Sequence, residues 1–219
     1  MTEHILQKYY DKRGLTYGMN SLRRRKVLEL IYEDGIEGKK ILDIGCATGY
    51  LGRDLKKENN TIVGMDISAT LIGEAKRFYD EVHVLDIEND PIPESVQKHS
   101  FDFVVAAEFI EHLFDQEKFL EKVKEMLAPG GKFILTTPNF LVWNNRIKML
   151  LGRFGIKEVF NDKSHIHLLS YTGLHEKLKG AGFTIVKENN IWYPNWLEKI
   201  HGILPAGIFV YQTIIKLQA

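Results

Sequence analysis

The sequence predicts an α/β fold built on a doubly wound, mostly parallel sheet, and three observations predict it. Short apolar runs alternate with helical stretches along most of the chain, which is how parallel strands joined by crossover helices read. The run Ile41-Leu42-Asp43-Ile44 leads straight into glycines at 45 and 49, and Leu51 and Leu55 then open a helix. Strand, glycine turn and helix is the layout of a nucleotide site in such sheets. The 219 residues are 44% hydrophobic and 26% charged, ordinary for one folded domain with a sizeable core.

Residues 1–38 are expected to form a helical cover. Leu22, Val27, Leu28, Leu30 and Ile31 give it an apolar stripe. Arg23-Arg24-Arg25-Lys26 interrupts the stripe and reads as a solvated face, or else as a clamp for an anion. Strands are expected at 40–45, 61–66, 82–86, 101–106 and 131–137, and helices at 50–58, 68–79 and 116–127. The last helix rests on Phe119, Leu120, Val123, Met126 and Leu127 at helical spacing, and Pro129-Gly130-Gly131 stops it.

A long insertion, 138–170, follows. Within it, residues 141–151 read as an amphipathic helix carrying Trp143, Ile147, Leu150 and Leu151. It is either a lid packed on the domain or an interfacial helix meeting a lipid-like substrate. A helix near 171–181, a strand at 183–188, an irregular apolar segment at 191–210 and a strand near 211–217 that closes the sheet complete a single domain, 1–219.

The formal net charge is zero, so no global field draws in nucleic acid or an anionic membrane. One cysteine, Cys46, sits in the glycine loop. It reads as a small buried residue, and a lone cysteine fits a reducing, cytoplasmic setting. The first residues lack the pattern of a signal peptide, and no apolar run reaches the ~18 residues of a membrane span.

The loop is not a dinucleotide fingerprint, because Ala47 and Tyr50 stand where that pattern needs glycine. It suits a nucleoside lacking a pyrophosphate. Asp66 ends the next apolar strand, where a carboxylate accepts hydrogen bonds from ribose hydroxyls; the rival role is capping the following helix, a role Ser68 also fits. Asp86 ends the strand after that, and its rival role is a turn before Asn89-Asp90-Pro91.

Residues 41–52 resemble motif I of the class I S-adenosylmethionine-dependent methyltransferases, with Ala47 at the middle glycine. Val84-Leu85-Asp86-Ile87, the segment from Phe101 to Leu113, and Leu127-Ala128-Pro129-Gly130-Gly131-Lys132-Phe133-Ile134 resemble later motifs of the same family. Together the motifs lie in order over 41–138. The resemblance implies a Rossmann-like seven-stranded sheet and S-adenosylmethionine held by Asp43, Gly45, Cys46, Ala47 and Gly49, by Asp66 and Ile67, by Asp86 and Ile87, and by Ala107 and Glu108. In that family, N-terminal aromatics such as Tyr9, Tyr10 and Tyr17 often help cover the cofactor.

Glu108, Glu111 and His112 are spaced i, i+3, i+4. If residues 108–114 form a helical turn, all three share a face. Two readings stand. In one, the three hold a divalent metal such as magnesium, which polarises an acceptor hydroxyl. In the other, no metal is used: His112 is the general base or orients the acceptor, or is simply packed, and Glu108 touches the cofactor.

The E-x-x-E-H pattern resembles both the ubiquinone-pathway O-methyltransferases and the RNA 3′-terminal 2′-O-methyltransferases. By the second likeness, His165 in Ser164-His165-Ile166-His167 is a further metal ligand. The expected function is methyl transfer to a small-molecule acceptor, on oxygen, with Trp143 and Leu151 suiting an apolar or lipid-like one. The alternatives are the RNA activity, against which the balanced charge counts, and S-adenosylmethionine binding without turnover.

Overall fold

The computed structural model of the chain describes Gln7, Asp11 and residues 20–56, 59–96, 100–153 and 164–219. Tyr9, Tyr10 and Tyr17 lie outside the described residues, as do 154–163 of the insertion. In chain order the elements are α1 (Ser21–Tyr32), β1 (Lys40–Ile44), α2 (Tyr50–Leu55), β2 (Thr61–Asp66), α3 (Ala69–Ala75), β3 (Glu81–Val84), β4 (Phe101–Ala107) and α4 (Gln116–Met126). Then follow β5 (Leu127–Pro138), α5 (Trp143–Leu150), α6 (Tyr171–Gly180), β6 (Thr184–Glu188), β7 (Ile191–Trp192), α7 (Ala206–Phe209) and β8 (Val210–Gln218).

The sheet runs β3-β2-β1-β4-β5-β8-β6, with the short β7 also paired to β8. Strands β1 to β5 are parallel, and β8 is antiparallel to its partners. The central strands read as unbroken apolar runs because both their faces are buried. Leu42, Ile44, Val104, Phe133 and Leu135 pack under α4 and α6. Their neighbours Ile41, Phe103, Val105 and Ile134 pack on the other side under α1, α2 and α3. Polar side chains fix where the helices begin: Asn20, Ser68, Asp115 and Ser170 each accept a first-turn N–H.

Two expectations are corrected here. The last strand does not close the sheet; it is seated between β5 and β6. Residues 191–210 are not irregular: they form β7, 3₁₀ turns over Asn195–Ile203 and α7. Pro129-Gly130-Gly131 follows the end of α4 as expected, but the chain is already extended there, with a register shift between Phe101 and Phe103 of β4. A Cβ at Gly131 would lie 2.8 Å from the Phe101 carbonyl oxygen, so that crossing requires glycine.

Helix α1 is tied across β8 by Lys216, whose ammonium is buried against the Leu30 carbonyl (3.3 Å), the Asp34 carboxylate (2.8 Å) and Glu33. That anchorage holds the first turn of α1 near the carboxyl ends of β1 and β4. The loops after β1, β2, β3 and β4 gather at this edge, where ligands bind in open α/β sheets.

Candidate active site

The glycine loop is shaped by three left-handed residues, Gly45 (φ 73°), Ala47 (φ 46°) and Gly49 (φ 82°). The N–H groups of Gly45 and Cys46 both donate to the Met65 carbonyl, at 2.8 and 3.0 Å, and Ala47 N–H donates to Asp66 Oδ2 at 3.0 Å. The loop is thus fastened to the end of β2. A Cβ at Gly45 would meet the Phe109 ring at 2.5 Å, so a larger residue does not fit.

Asp66 Oδ1 also accepts Ser68 N–H at 2.9 Å. Ser68, not Asp66, caps α3, accepting Leu71 N–H at 3.2 Å. The Asp66 carboxylate therefore stays at a cavity lined by Met65, Ile67, Asp86, Ile87 and His112. Burial raises its pKa above the usual range, against the N–H donors that hold it down. Asp86 makes the turn weighed for it and also reaches the cavity. It accepts Glu88 N–H (3.0 Å) and the Asn89 amide (2.9 Å) in a local turn, and it lines the same cavity.

Asp43 is buried beneath the loop and accepts the Tyr79 hydroxyl at 2.6 Å. Burial pushes its pKa up to about 7, partly offset by that hydrogen bond. It lines a second, smaller cavity with Arg23, Gly45, Cys46, Ala47 and Ala107. Cys46 is buried and its thiol is pushed well up by burial and by Asp43 and Asp66. A thiol in that state packs and does not attack.

Beyond β4 the sequence pattern E-x-x-E-H splits. Only Ile110–His112 forms a helical turn, a single 3₁₀ turn, and Glu108 precedes it with φ 55°. Glu108 therefore does not share a face with the other two. Its carboxylate accepts Thr136 Oγ1 at 3.0 Å and the Gln212 amide, and faces Arg23 at 3.2 Å.

Glu111, His112 and His165 instead converge, each offering a ligand atom within 4.8 Å of the others. Glu111 is 1% exposed. Its Oε2 accepts Thr137 Oγ1 at 3.0 Å, while Oε1 is buried without a hydrogen-bond partner among the described residues and lies 3.9 Å from His165 Nε2. Burial and the nearby charge of Glu108 raise the Glu111 pKa well above the ordinary value. His165 is brought in because Ile166 and His167 N–H both donate to the Glu111 carbonyl at 3.1 Å. The His112 and His165 rings meet edge-on at 4.8 Å. His112 Nδ1 lies 3.0 Å from the Ser164 carbonyl; a carbonyl only accepts, so Nδ1 carries a proton, and in the neutral ring the lone pair falls to Nε2.

Five residues of this edge were not singled out from sequence: Arg23 individually, Thr136, Thr137, Ser164 and Gln212. Asn20 two residues before Leu22 marks the start of α1 and puts Arg23 in its first turn, which is a readable signal. Thr136, Thr137 and Gln212 come from distant strands and Ser164 from a turn in the insertion, and they carry none.

A family model described as a methyltransferase domain matches residues 17–188. The chain belongs to the class I S-adenosylmethionine-dependent methyltransferases.

This methyltransferase is 35% identical over 105 residues to the ubiquinone biosynthesis O-methyltransferase of Rhodopseudomonas palustris (strain TIE-1), a match covering 48% of this chain and 42% of that protein. It is 28% identical over 148 residues to the protein of the same description from Klebsiella pneumoniae (strain 342), covering 63% and 58%. The chain thus spans about half the length of the curated relatives it matches.

Two solved structures share the methyltransferase fold. An S-adenosylmethionine-dependent methyltransferase from Mesorhizobium loti aligns with TM-score 0.66 at 14% identity, covering 91% of this chain and 99% of that one. Magnesium protoporphyrin IX methyltransferase from Synechocystis PCC 6803, with bound S-adenosylhomocysteine, aligns with TM-score 0.65 at 15% identity, covering 97% of each.

Proposed function

We propose that this methyltransferase acts on the oxygen of a small-molecule acceptor, with His112 as the base. The observation that carries the reading is His112 at the wall of the cavity that Asp66 and Ile87 also line, with its Nδ1 set on the Ser164 carbonyl. The ubiquinone O-methyltransferases among its relatives support an oxygen acceptor. Neither the zero net charge nor any recognisable module favours RNA.

S-adenosylmethionine supplies a methyl group on a sulfonium, which leaves as neutral sulfide when the methyl–oxygen bond forms. The chain has four tasks. Asp66 accepts from the ribose hydroxyls, and Asp86 with the Ile87 backbone meets the adenine edge. Arg23 pairs with the carboxylate of the amino-acid tail in the smaller cavity, and Asp43 and Glu108 receive its ammonium. His112 Nε2 takes the acceptor proton, held in the required tautomer by Ser164. Holding acceptor and donor in line contributes on the order of 7 kcal/mol or more.

A second reading has one observation behind it, the buried Oε1 of Glu111, beside two imidazoles and without a hydrogen-bond partner among the described residues. The carboxylate and two histidines fit a divalent cation, and Glu108 is not part of that set. Two nitrogen donors favour an ion such as Mn²⁺ or Zn²⁺ over Mg²⁺. Such an ion would lower the pKa of an acceptor hydroxyl.

The test is release of S-adenosylhomocysteine from the purified chain offered alkylated catechols, or RNA with a free 3′ end, with and without EDTA. Turnover on a catechol supports the reading. Turnover on RNA alone, or tight S-adenosylmethionine binding with no turnover on either, overturns it.

A further inference from the structure

We propose that α5 and the 3₁₀ turns of Asn195–Ile203 form one face that docks on an anionic lipid surface. Leu150 is 87% exposed, Ile203 83% and Trp196 63%, and Ile147, Leu151 and Ile200 are exposed beside them. Trp143, Ile147 and Leu150 fall at i, i+4 and i+7, a single stripe along α5. No residue of α5 is buried. Trp143 is held against Tyr193, while Ile147, Leu150 and Leu151 stay exposed to water, a poor neighbour for an apolar stripe.

The two segments are neighbours. The Trp143 ring stacks on Tyr193 with centroids 6.0 Å apart and planes 16° from parallel. Its indole N–H donates to the Tyr193 carbonyl at 2.9 Å. The Arg146 guanidinium reaches the Gly207 carbonyl at 3.4 Å. Helix α5 therefore touches the chain just before and just after Asn195–Ile203, and the apolar side chains of both lie in one region.

Charge decides the partner. From Phe140 to Arg153 the sequence has three cations, Arg146, Lys148 and Arg153, and no acid. Lys199 is exposed on the adjoining turns, and the acid next to it, Glu198, pairs with Lys26. In a chain of zero net charge this is a local excess. Aromatic and aliphatic side chains ringed by lysine and arginine match the headgroup boundary of an anionic bilayer. A second copy of the chain on the same face would oppose like charges. Because α5 follows β5 at the carboxyl edge of the sheet, docking brings the lipid surface to the edge that carries the candidate site.

The test is co-sedimentation of the full chain with phosphatidylcholine vesicles, with and without about 30% phosphatidylglycerol. Binding is expected to the anionic vesicles and to weaken as ionic strength rises from about 0.05 to about 0.5 M. Leu150→Glu with Ile203→Glu is expected to weaken it at least tenfold. Arg153→Glu with Lys199→Glu should abolish the preference for anionic lipid. Unchanged S-adenosylmethionine binding by calorimetry certifies that each variant is folded, and vesicle binding is read without turnover, so it is independent of the acceptor. Absence of vesicle binding, or binding that ignores both variants, overturns the proposal. So does a dimer in sedimentation velocity that the first variant dissociates, since the face then belongs to a second copy.

Discussion

The Arg23 guanidinium lies 3.2 Å from the Glu108 carboxylate, joining the first turn of α1 to the end of β4 across the mouth of the smaller cavity. Arg23 Nε is buried there without a hydrogen-bond partner among the described residues. A charged donor held in place and incompletely satisfied is ready for an anion. Arg23→Ala is expected to weaken S-adenosylmethionine binding by about tenfold to a hundredfold, the range for losing a hydrogen bond to a charged group. Arg23→Lys should recover part of it, because lysine keeps the charge and loses the fork. Calorimetry on both variants checks this, and equal affinity for wild type and alanine would remove Arg23 from the site.

Asp66→Ala should weaken the same ligand at least tenfold. It also releases Ala47 N–H and Ser68 N–H. Adenosine alone, which lacks the amino-acid tail, separates the two effects. Its affinity should fall with Asp66→Ala and hold with Arg23→Ala.

Asp43 makes stability depend on pH in a definite direction. Its folded pKa of about 7 stands above an unfolded value of about 3.9. Its favourable contribution is therefore complete below about pH 4 and is lost as pH rises through about 7. Asparagine cannot ionise and still accepts the Tyr79 hydroxyl. Relative to wild type, Asp43→Asn should become more stable as pH rises from 5 to 8, by about 3 kcal/mol at most. Urea unfolding of the ligand-free protein at the two pH values measures it. A difference that does not change with pH would sink the assignment.

Loss of His112 should strike turnover and spare the cofactor. His112→Ala is expected to lower kcat by roughly 10² to 10⁴ with S-adenosylmethionine affinity unchanged. The proton-transfer and cation readings then part company over His165→Ala. If EDTA abolishes wild-type turnover and added Mn²⁺ restores it, His165→Ala should raise the Mn²⁺ concentration needed. If EDTA does nothing, that variant should change kcat less than His112→Ala does.

Gly45→Ala tests the turn itself. Alanine there would need φ near 73° and would press on the Phe109 ring. Left-handed backbone costs about 1–2 kcal/mol, and the clash adds to it. The variant should unfold at lower urea by more than Gly35→Ala, which shares the positive φ but has open space at its Cβ.

What sequence alone revealed follows a physical line. Strands β1, β2, β4 and β5 are legible because burial on both faces leaves an uninterrupted apolar run, as in Ile62-Val63-Gly64-Met65. The glycine loop is legible because positive φ at 45 and 49 demands a residue type. The condition for Glu108 to share a face with Glu111 and His112, a continuous helical turn, fails because its own positive φ breaks the turn. Thr137 and Gln212 were invisible because they act through strand register, which pairs residues tens of positions apart. Val210 and Trp192, which pack together, were likewise lost inside a stretch with no single period.

Strand β8 comes last of the described elements and yet lies between β5 and β6. From it come Gln212 against Glu108 and Lys216 against α1. During synthesis the earlier strands emerge first, but none of them can occupy that gap. A polypeptide halted before residue 210 would carry the whole glycine loop and still leave two strand edges bare, exposed to pairing with another chain. Residues 210–218 must therefore be made before Gln212 can meet Glu108 and before Lys216 can tie α1 to the sheet.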